Sequence, residues 1–453
     1  MLPPPIALAL YIVLLIALLR HASALEGPHT WARWVPVVWV GFAMTRLPSQ
    51  WLELTAGSAA QAMEEGNWLD RCVYAVLICL AFYIVSTRSV SWLGLLAGNH
   101  VLALLLLFTL VSTVWSDYPD ISFKRWIRDL GSYLSALVIL SDPRPLAALD
   151  AVIRRLCYVV VPLSVVLIKY YPELGVTYDP WLGVPAYQGV ALSKNGLGGM
   201  CLVSGIFFVW DTVRRWPYRR DGFTTRTLLI NGALIGMTLW LLWLSSSATS
   251  QICLLIACLV VMAVHRRSSA ARPLWLKISI PIWMCLYLGL DYLLGLQGLI
   301  TSTLGRDVTM TGRTEVWELI LPLNPNPLVG AGYEGFWLGP RLLTIWSAYW
   351  WQPNQAHNGY IEVYLNLGFV GLLIVGGFLL VSYYRIWTSA TVDLFSLGLA
   401  VWIVTLLYNV TEAGIFKGPL WLLLLANSIA ISFAHSEAPI AERASPVRVK
   451  GTS

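Results

Sequence analysis

From Thr227 to Val264 the chain carries no charged side chain. One membrane crossing needs only about 20 helical residues to cover roughly 30 Å of hydrocarbon, so this run is too long for a single helix. Ser245-Ser246-Ser247-Ala248-Thr249-Ser250 falls in its middle and predicts the tip of a helical hairpin. Composition extends the argument to the whole chain. Hydrophobic types make up 57% of the 453 residues and charged types 12%, against about 25% charged in soluble domains. The mean hydropathy of +0.68 agrees. A soluble globular enzyme is excluded, and 23 Trp exclude a disordered chain. Trp suits a membrane boundary, where one edge of the ring is dry and the other wet. The expected fold class is all-α, a polytopic transmembrane helix bundle.

Other charge-poor stretches predict spans at Ile6–Leu19, Val35–Met44, Tyr74–Val85, Ser89–Trp115, Leu130–Ser141 and Leu156–Ile168. Asn195–Trp210, Ile278–Leu290, Val363–Tyr384, Leu394–Tyr408 and Pro419–Phe433 follow. With the hairpin the total is thirteen, or twelve without the short Val35–Met44. Leu2–Leu19 resembles a signal peptide in hydrophobicity, but its flanking charge, Arg20, follows the apolar run rather than preceding it. It reads as a retained first span.

Basic residues collect in cytoplasmic loops. Asp211–Arg226 holds five Arg against two Asp, and His265–Lys277 holds three Arg and one Lys with no acid. Both are assigned inside, so the net charge of +6 reflects topology and implies no nucleic-acid partner. Alternation then divides the chain into N-terminal transmembrane helices (residues 1–297), a large outer loop (298–356), C-terminal transmembrane helices (357–434) and a cytoplasmic tail (435–453). An outer loop of this length is rarely filler. It contains a short helical pattern, Arg313–Leu321, stopped by Pro322, then turn signals at Asn324–Pro327 and glycines 330, 332 and 335. The aromatic run Ile345–Trp351 suits the membrane surface. Seven Cys lie in apolar stretches without a CxxC pair, giving no disulfide framework and no zinc site.

Ionisable residues gather at the outer ends of the spans rather than at midplane, unlike a transporter. The outer set includes Arg46, Lys124, Arg125, Arg128, Lys194, Arg313, Glu334, Glu362 and Glu412. Lys124, Arg125 and Arg128 fit either lipid phosphates or a phosphorylated substrate. Among six His only His357 falls at an outward loop-to-helix junction, beside Asn358. A helix-start role is the plainer reading, yet an imidazole there is also the natural general base. Gly330-Ala331-Gly332 is no phosphate-binding P-loop, because Lys-Ser/Thr is absent.

Five segments in order carry a family resemblance. They are Trp115-Ser116-Asp117-Tyr118-Pro119 before Lys124-Arg125-Trp126; Ser193-Lys194-Asn195-Gly196-Leu197-Gly198; Gly312-Arg313-Thr314-Glu315-Val316-Trp317; Gly330-Ala331-Gly332-Tyr333-Glu334-Gly335-Phe336-Trp337; and His357-Asn358-Gly359-Tyr360-Ile361-Glu362, running on to Gly371. Over roughly residues 110–415 the chain resembles the bacterial O-antigen ligase and Wzy-type polymerase superfamily, which includes exopolysaccharide polymerases. The resemblance implies an inverting glycosyltransferase of the inner membrane working at its periplasmic face, so that residues 298–356 form a periplasmic loop. It implies a glycan donor on undecaprenyl pyrophosphate and an acceptor that is a sugar or lipid A–core. Membrane lipids and polysaccharide export machinery are the further partners. The family's essential Arg maps onto Arg313, its essential His onto His357, and the basic residue of its Lys/Arg-Asn-x-x-Gly segment onto Lys194. Ser193 stands where members often have His.

On this reading His357 and Arg313 are catalytic. Lys194, Asn195, Lys124, Arg125, Arg128, Asn358, Glu334 and Glu412 bind substrate. Arg and Lys meet the pyrophosphate charge, so no metal and no other cofactor is expected. A transporter of lipid-linked glycans and a structural envelope protein are the alternatives. The first would require charges deep in its spans, and the second would not require His357.

Overall fold

The computed structural model describes residues 2–26, 30–54, 66–88, 90–179, 183–266, 277–278, 281–282, 313–388 and 391–429. Most of the expected span Ile278–Leu290, loop residues 298–312 with Arg306, and the tail lie outside these residues.

The chain is an all-α bundle. The first half runs α1 (Pro4–Glu26), α2 (Trp34–Met44), α3 (Trp68–Ser86), α4 (Trp92–Gly98), α5 (His100–Ser112), α6 (Pro119–Leu140) and α7 (Pro145–Tyr170). A two-stranded antiparallel ribbon follows, β1 (Val176–Tyr178) with β2 (Pro185–Tyr187). Then come α8 (Lys194–Arg215), α9 (Gly222–Ser245), α10 (Ala248–Arg266), α11 (Arg313–Ile320), α12 (Gly339–Ala348), α13 (Gly359–Trp387), α14 (Val392–Thr411) and α15 (Gly418–Ile429). Among the described residues eight helices are long and apolar enough to cross a membrane, or nine if the pair bent by 92° at Asn99 is one span.

The hairpin in the uncharged run is present, and it turns at Ser246, which adopts φ 51°. Val35–Met44 lies in α2, whose 11 residues rise only about 17 Å. It is a partial helix packed inside the bundle, with the Trp39 ring against Gly131 and its Nε1 donating to Ser132 Oγ at 3.0 Å. The stretch 116–127, between the expected spans Ser89–Trp115 and Leu130–Ser141, is largely the start of the 22-residue α6. Lys124, Arg125 and Arg128 therefore ride on a helix. Pro119 at its first position leaves no amide to satisfy.

Charged groups that the sequence assigns to the inside gather at one end. Asp211 pairs there with Arg154, Arg214 and Arg215, and Asp142 with Arg33 and Arg88. Glu26 binds Arg155 in the same region.

At the opposite end α13 is broken. Gly368 takes φ 63°, ψ −163°, a conformation that side-chain-bearing residues essentially do not adopt. Backbone groups freed within a membrane protein need protein partners, and the loop that precedes α13 supplies them. Phe369 and Val370 donate their amides to the carbonyls of Pro327 and Leu328 at 2.9 and 3.0 Å. Ala331 N–H returns a bond to Leu365 O at 2.9 Å, and Asn324 Nδ2 donates to Tyr364 O at 3.2 Å. The strap 324–331 thus closes the break. The loop also has an apolar core, including Val316, Ile320, Phe336, Leu342 and Ile345, and Leu365 of α13 is buried in it. In the run Ile345–Trp351, Trp346, Tyr349 and Trp351 pack against that core and Trp350 is exposed.

Candidate functional site

The five sequence segments converge at this end of the bundle. Gly332, with φ 86°, lies so close to Ser112 and Ser116 that a Cβ would fall 2.7 Å from them. Tyr333 N–H donates to Ser112 Oγ, and Arg341 pairs with Asp117 at 2.8 Å. The 330–337 segment is therefore bound to the Trp115–Pro119 corner. Trp317 Nε1, on α11, donates to Ala356 O at 2.8 Å and ties the Arg313 helix to the residue before His357.

Arg313, His357 and Asn195 meet at Glu412. This carboxylate sits just past the end of α14, where the chain leaves the helix in extended backbone. Its Oε1 accepts from Asn195 Nδ2 at 2.8 Å and from Arg313 NH2 at 3.4 Å. Its Oε2 lies 3.5 Å from His357 Nδ1. The other arm of the guanidinium, NH1, donates to Thr411 O at 2.6 Å. Thr411 Oγ1 in turn meets Thr249 at the hairpin tip, 2.7 Å away. Asn358 caps α13, accepting from the amides of Tyr360 and Ile361, and its Nδ2 reaches Val410 O at 2.9 Å. These bonds lock the start of α13 onto the end of α14.

Lys194 and Asn195 open α8, capped by Ser193 Oγ on Gly196 N–H at 3.0 Å. A helix start presents unpaired amides and a partial positive charge, which favours anions. Lys194 itself pairs with Asp179 at 2.8 Å and remains about half exposed.

A second group forms around Glu334, whose backbone has φ 52°. Its carboxylate pairs with Lys417 Nζ at 2.6 Å, and its carbonyl accepts from Arg125 NH1 at 2.6 Å. Burial alone would raise this carboxyl, but Lys417, Arg125 and Arg128 outweigh it and hold it below the ordinary glutamate value. Arg128 donates to both oxygens of Asp129, and Oδ2 also accepts from the Tyr333 hydroxyl at 3.0 Å. Burial, with the Asp129 and Glu334 carboxylates nearby, keeps that phenol protonated far above its usual range. Lys124 is exposed. Glu362 holds the loop by accepting from Trp337 Nε1 at 3.1 Å and from Ala356 N–H.

The geometry therefore joins Asn195, Arg313, His357, Asn358 and Glu412, and separately Arg125, Arg128 and Glu334. Sequence reasoning missed Lys417 and Asp179. Lys417 had a legible signal, because charge alternation assigns the turn 411–417 to the outside, where a basic residue needs a reason to be.

Residues 232–376 match the model of the O-antigen ligase family. The chain is 26% identical over 291 residues to the exopolysaccharide production protein ExoQ of Rhizobium meliloti, covering 61% of this chain and 63% of the relative. It thus spans just under two thirds of that protein. Both comparisons support the resemblance to the O-antigen ligase and Wzy-type polymerase superfamily. The matched family region contains Arg313, Glu334 and His357, whereas Asn195 and Glu412 join the site only through the fold.

Proposed function

We propose that this polytopic protein of the O-antigen ligase and Wzy-type superfamily is an inverting glycosyltransferase acting at the periplasmic face of the inner membrane. The observation that carries the reading is the meeting of Arg313, Asn195 and His357 on one carboxylate, beside the amide-rich start of α8. The donor is a glycan on undecaprenyl pyrophosphate. An acceptor hydroxyl attacks the anomeric carbon from the face opposite the pyrophosphate, and the glycosidic C–O bond to phosphate breaks. The leaving pyrophosphate takes the electron pair, and the hydroxyl proton passes to His357. The planar guanidinium of Arg313 matches two phosphate oxygens, and Lys194 with the α8 amides adds positive potential. Growing negative charge on the leaving group is met by these groups, so a general acid is not needed.

Polymerisation of repeat units is the preferred reaction, supported by the similarity to an exopolysaccharide production protein. Ligation to lipid A–core is the second reading, favoured by the description of the matched family. Purified protein given lipid-linked repeat units, with or without lipid A–core, separates them. Lengthening glycan on the polyprenyl carrier without core supports polymerisation. Product only on core supports ligation, and no product with either acceptor overturns the transferase reading.

A further inference from the structure

We infer that Glu412 is a positioning residue that orients His357 through Nδ1 and ties this base to the donor-side group Arg313; the inference rests on the transferase reading above. The backbones of the two residues are fixed to each other. Gly359 N–H donates to Glu412 O at 3.1 Å, and Asn358 Nδ2 donates to Val410 O, so the segments flanking His357 and Glu412 are joined twice. Asn409 Oδ1 accepts from Gly414 N–H at 2.8 Å and sets the turn that follows Glu412. His357 itself has φ 50°, a left-handed conformation uncommon outside glycine and often retained where function requires it.

The side-chain atoms complete the argument. Both donors on the Arg313 side use Oε1, which leaves Oε2 for the imidazole. His357 Nδ1 is buried and has no hydrogen-bond partner, and Glu412 Oε2 lies 3.5 Å away. Such contacts commonly tighten when substrate binds. A proton on Nδ1 pointing at the carboxylate leaves Nε2 unprotonated and able to accept the hydroxyl proton. The same carboxylate then stabilises the imidazolium. If Glu412 served only as counter-ion to Arg313, the tautomer of His357 would be indifferent to it.

Glu412→Gln separates these roles. Asn195 and Arg313 are both donors, so they select the amide oxygen of Gln and turn its NH2 toward His357. That NH2 donates to Nδ1 and forces the proton onto Nε2, where it blocks the base. Full-length protein labelled with 15N-histidine, with His357 assigned by difference from His357→Gln, reports the tautomer without any turnover. The neutral wild-type ring should carry its proton on Nδ1, and Glu412→Gln should move it to Nε2. Turnover should fall about 100-fold or more, while the KM for donor and the melting temperature stay near wild type. An Nε2–H tautomer in the wild type overturns the proposal, and so does wild-type turnover in Glu412→Gln. Should that variant fold poorly, the wild-type tautomer alone decides. Failure of the transferase reading looks different, because then the wild type itself transfers nothing while the tautomer measurement still reads the His357–Glu412 contact.

Discussion

Gly368→Ala tests whether the broken helix organises the site. The native φ of 63° with ψ −163° costs a side-chain-bearing residue about 1–3 kcal/mol before any contact is counted. A Cβ would also lie 2.2 Å from the carbonyl carbon of Leu328, so the strap must retreat. Its retreat breaks the bonds from Phe369 and Val370 to Pro327 and Leu328, worth about 0.5–1.5 kcal/mol each. The total is about 2–6 kcal/mol, concentrated on docking of the outer loop rather than on the bundle. Gly376→Ala is an internal control in the same helix, because a Cβ there meets nothing within 4 Å. It should be neutral or slightly stabilising, since Ala is the better helix former. Limited proteolysis of the outer loop in detergent, followed by transfer assays, reads both variants. Gly368→Ala should expose residues 324–331 to cleavage and lower activity, and Gly376→Ala should do neither. Equal protection and activity in the two variants would refute the strap as the element that fixes the site.

Three further outcomes follow from the geometry. Arg313→Lys keeps the charge but replaces the planar two-armed fork that holds Thr411 O and Glu412 with a single ammonium, so turnover should fall roughly 10- to 100-fold, as loss of a charge-assisted bond of about 1.5–3 kcal/mol implies; near-normal kcat would reduce Arg313 to a simple charge. Glu334, held below its ordinary value by Lys417, Arg125 and Arg128, contributes stability that is fully present above the unfolded pKa of about 4.3 and is lost as pH falls through the lower folded value. The melting temperature should therefore drop with acid less steeply in Lys417→Met than in wild type, and parallel curves would remove the assignment. On the proposed reading Arg313 and Lys194 meet the pyrophosphate charge, so transfer should survive excess chelator; loss restored by magnesium would show that these cations do not suffice.

The sequence was most legible where one local signal decides the structure. Absence of charge and a serine cluster located the hairpin, and Asn358 ahead of an apolar run located the start of α13. The break at Gly368 was not legible. Leu365–Gly371 reads as continuous apolar helix, and the carbonyls that stabilise the break come from Pro327 and Leu328 in the loop. Glu412 was visible as an outward acid but not as a meeting point, since its partners lie 217 and 99 residues away in sequence. The outer segment after Trp115 gave a similar limit, because its three basic residues hid the first turns of α6.

These unforeseen features share one physical cause. A site for the lipid-linked donor proposed above must lie where hydrocarbon meets water, and there neither a plain apolar helix nor a free loop suffices. The helix alone offers no polar groups, and the loop alone cannot hold them to fractions of an ångström. Breaking α13 at Gly368 releases amides and carbonyls that the strap 324–331 must satisfy. Satisfying them fixes the loop to the bundle, and Trp317 on Ala356 then places α11 against the start of α13. Arg313 and His357, distant in sequence, are thereby held at opposite oxygens of the Glu412 carboxylate. The backbone bonds that make the break tolerable are the same ones that bring Arg313 and His357 together.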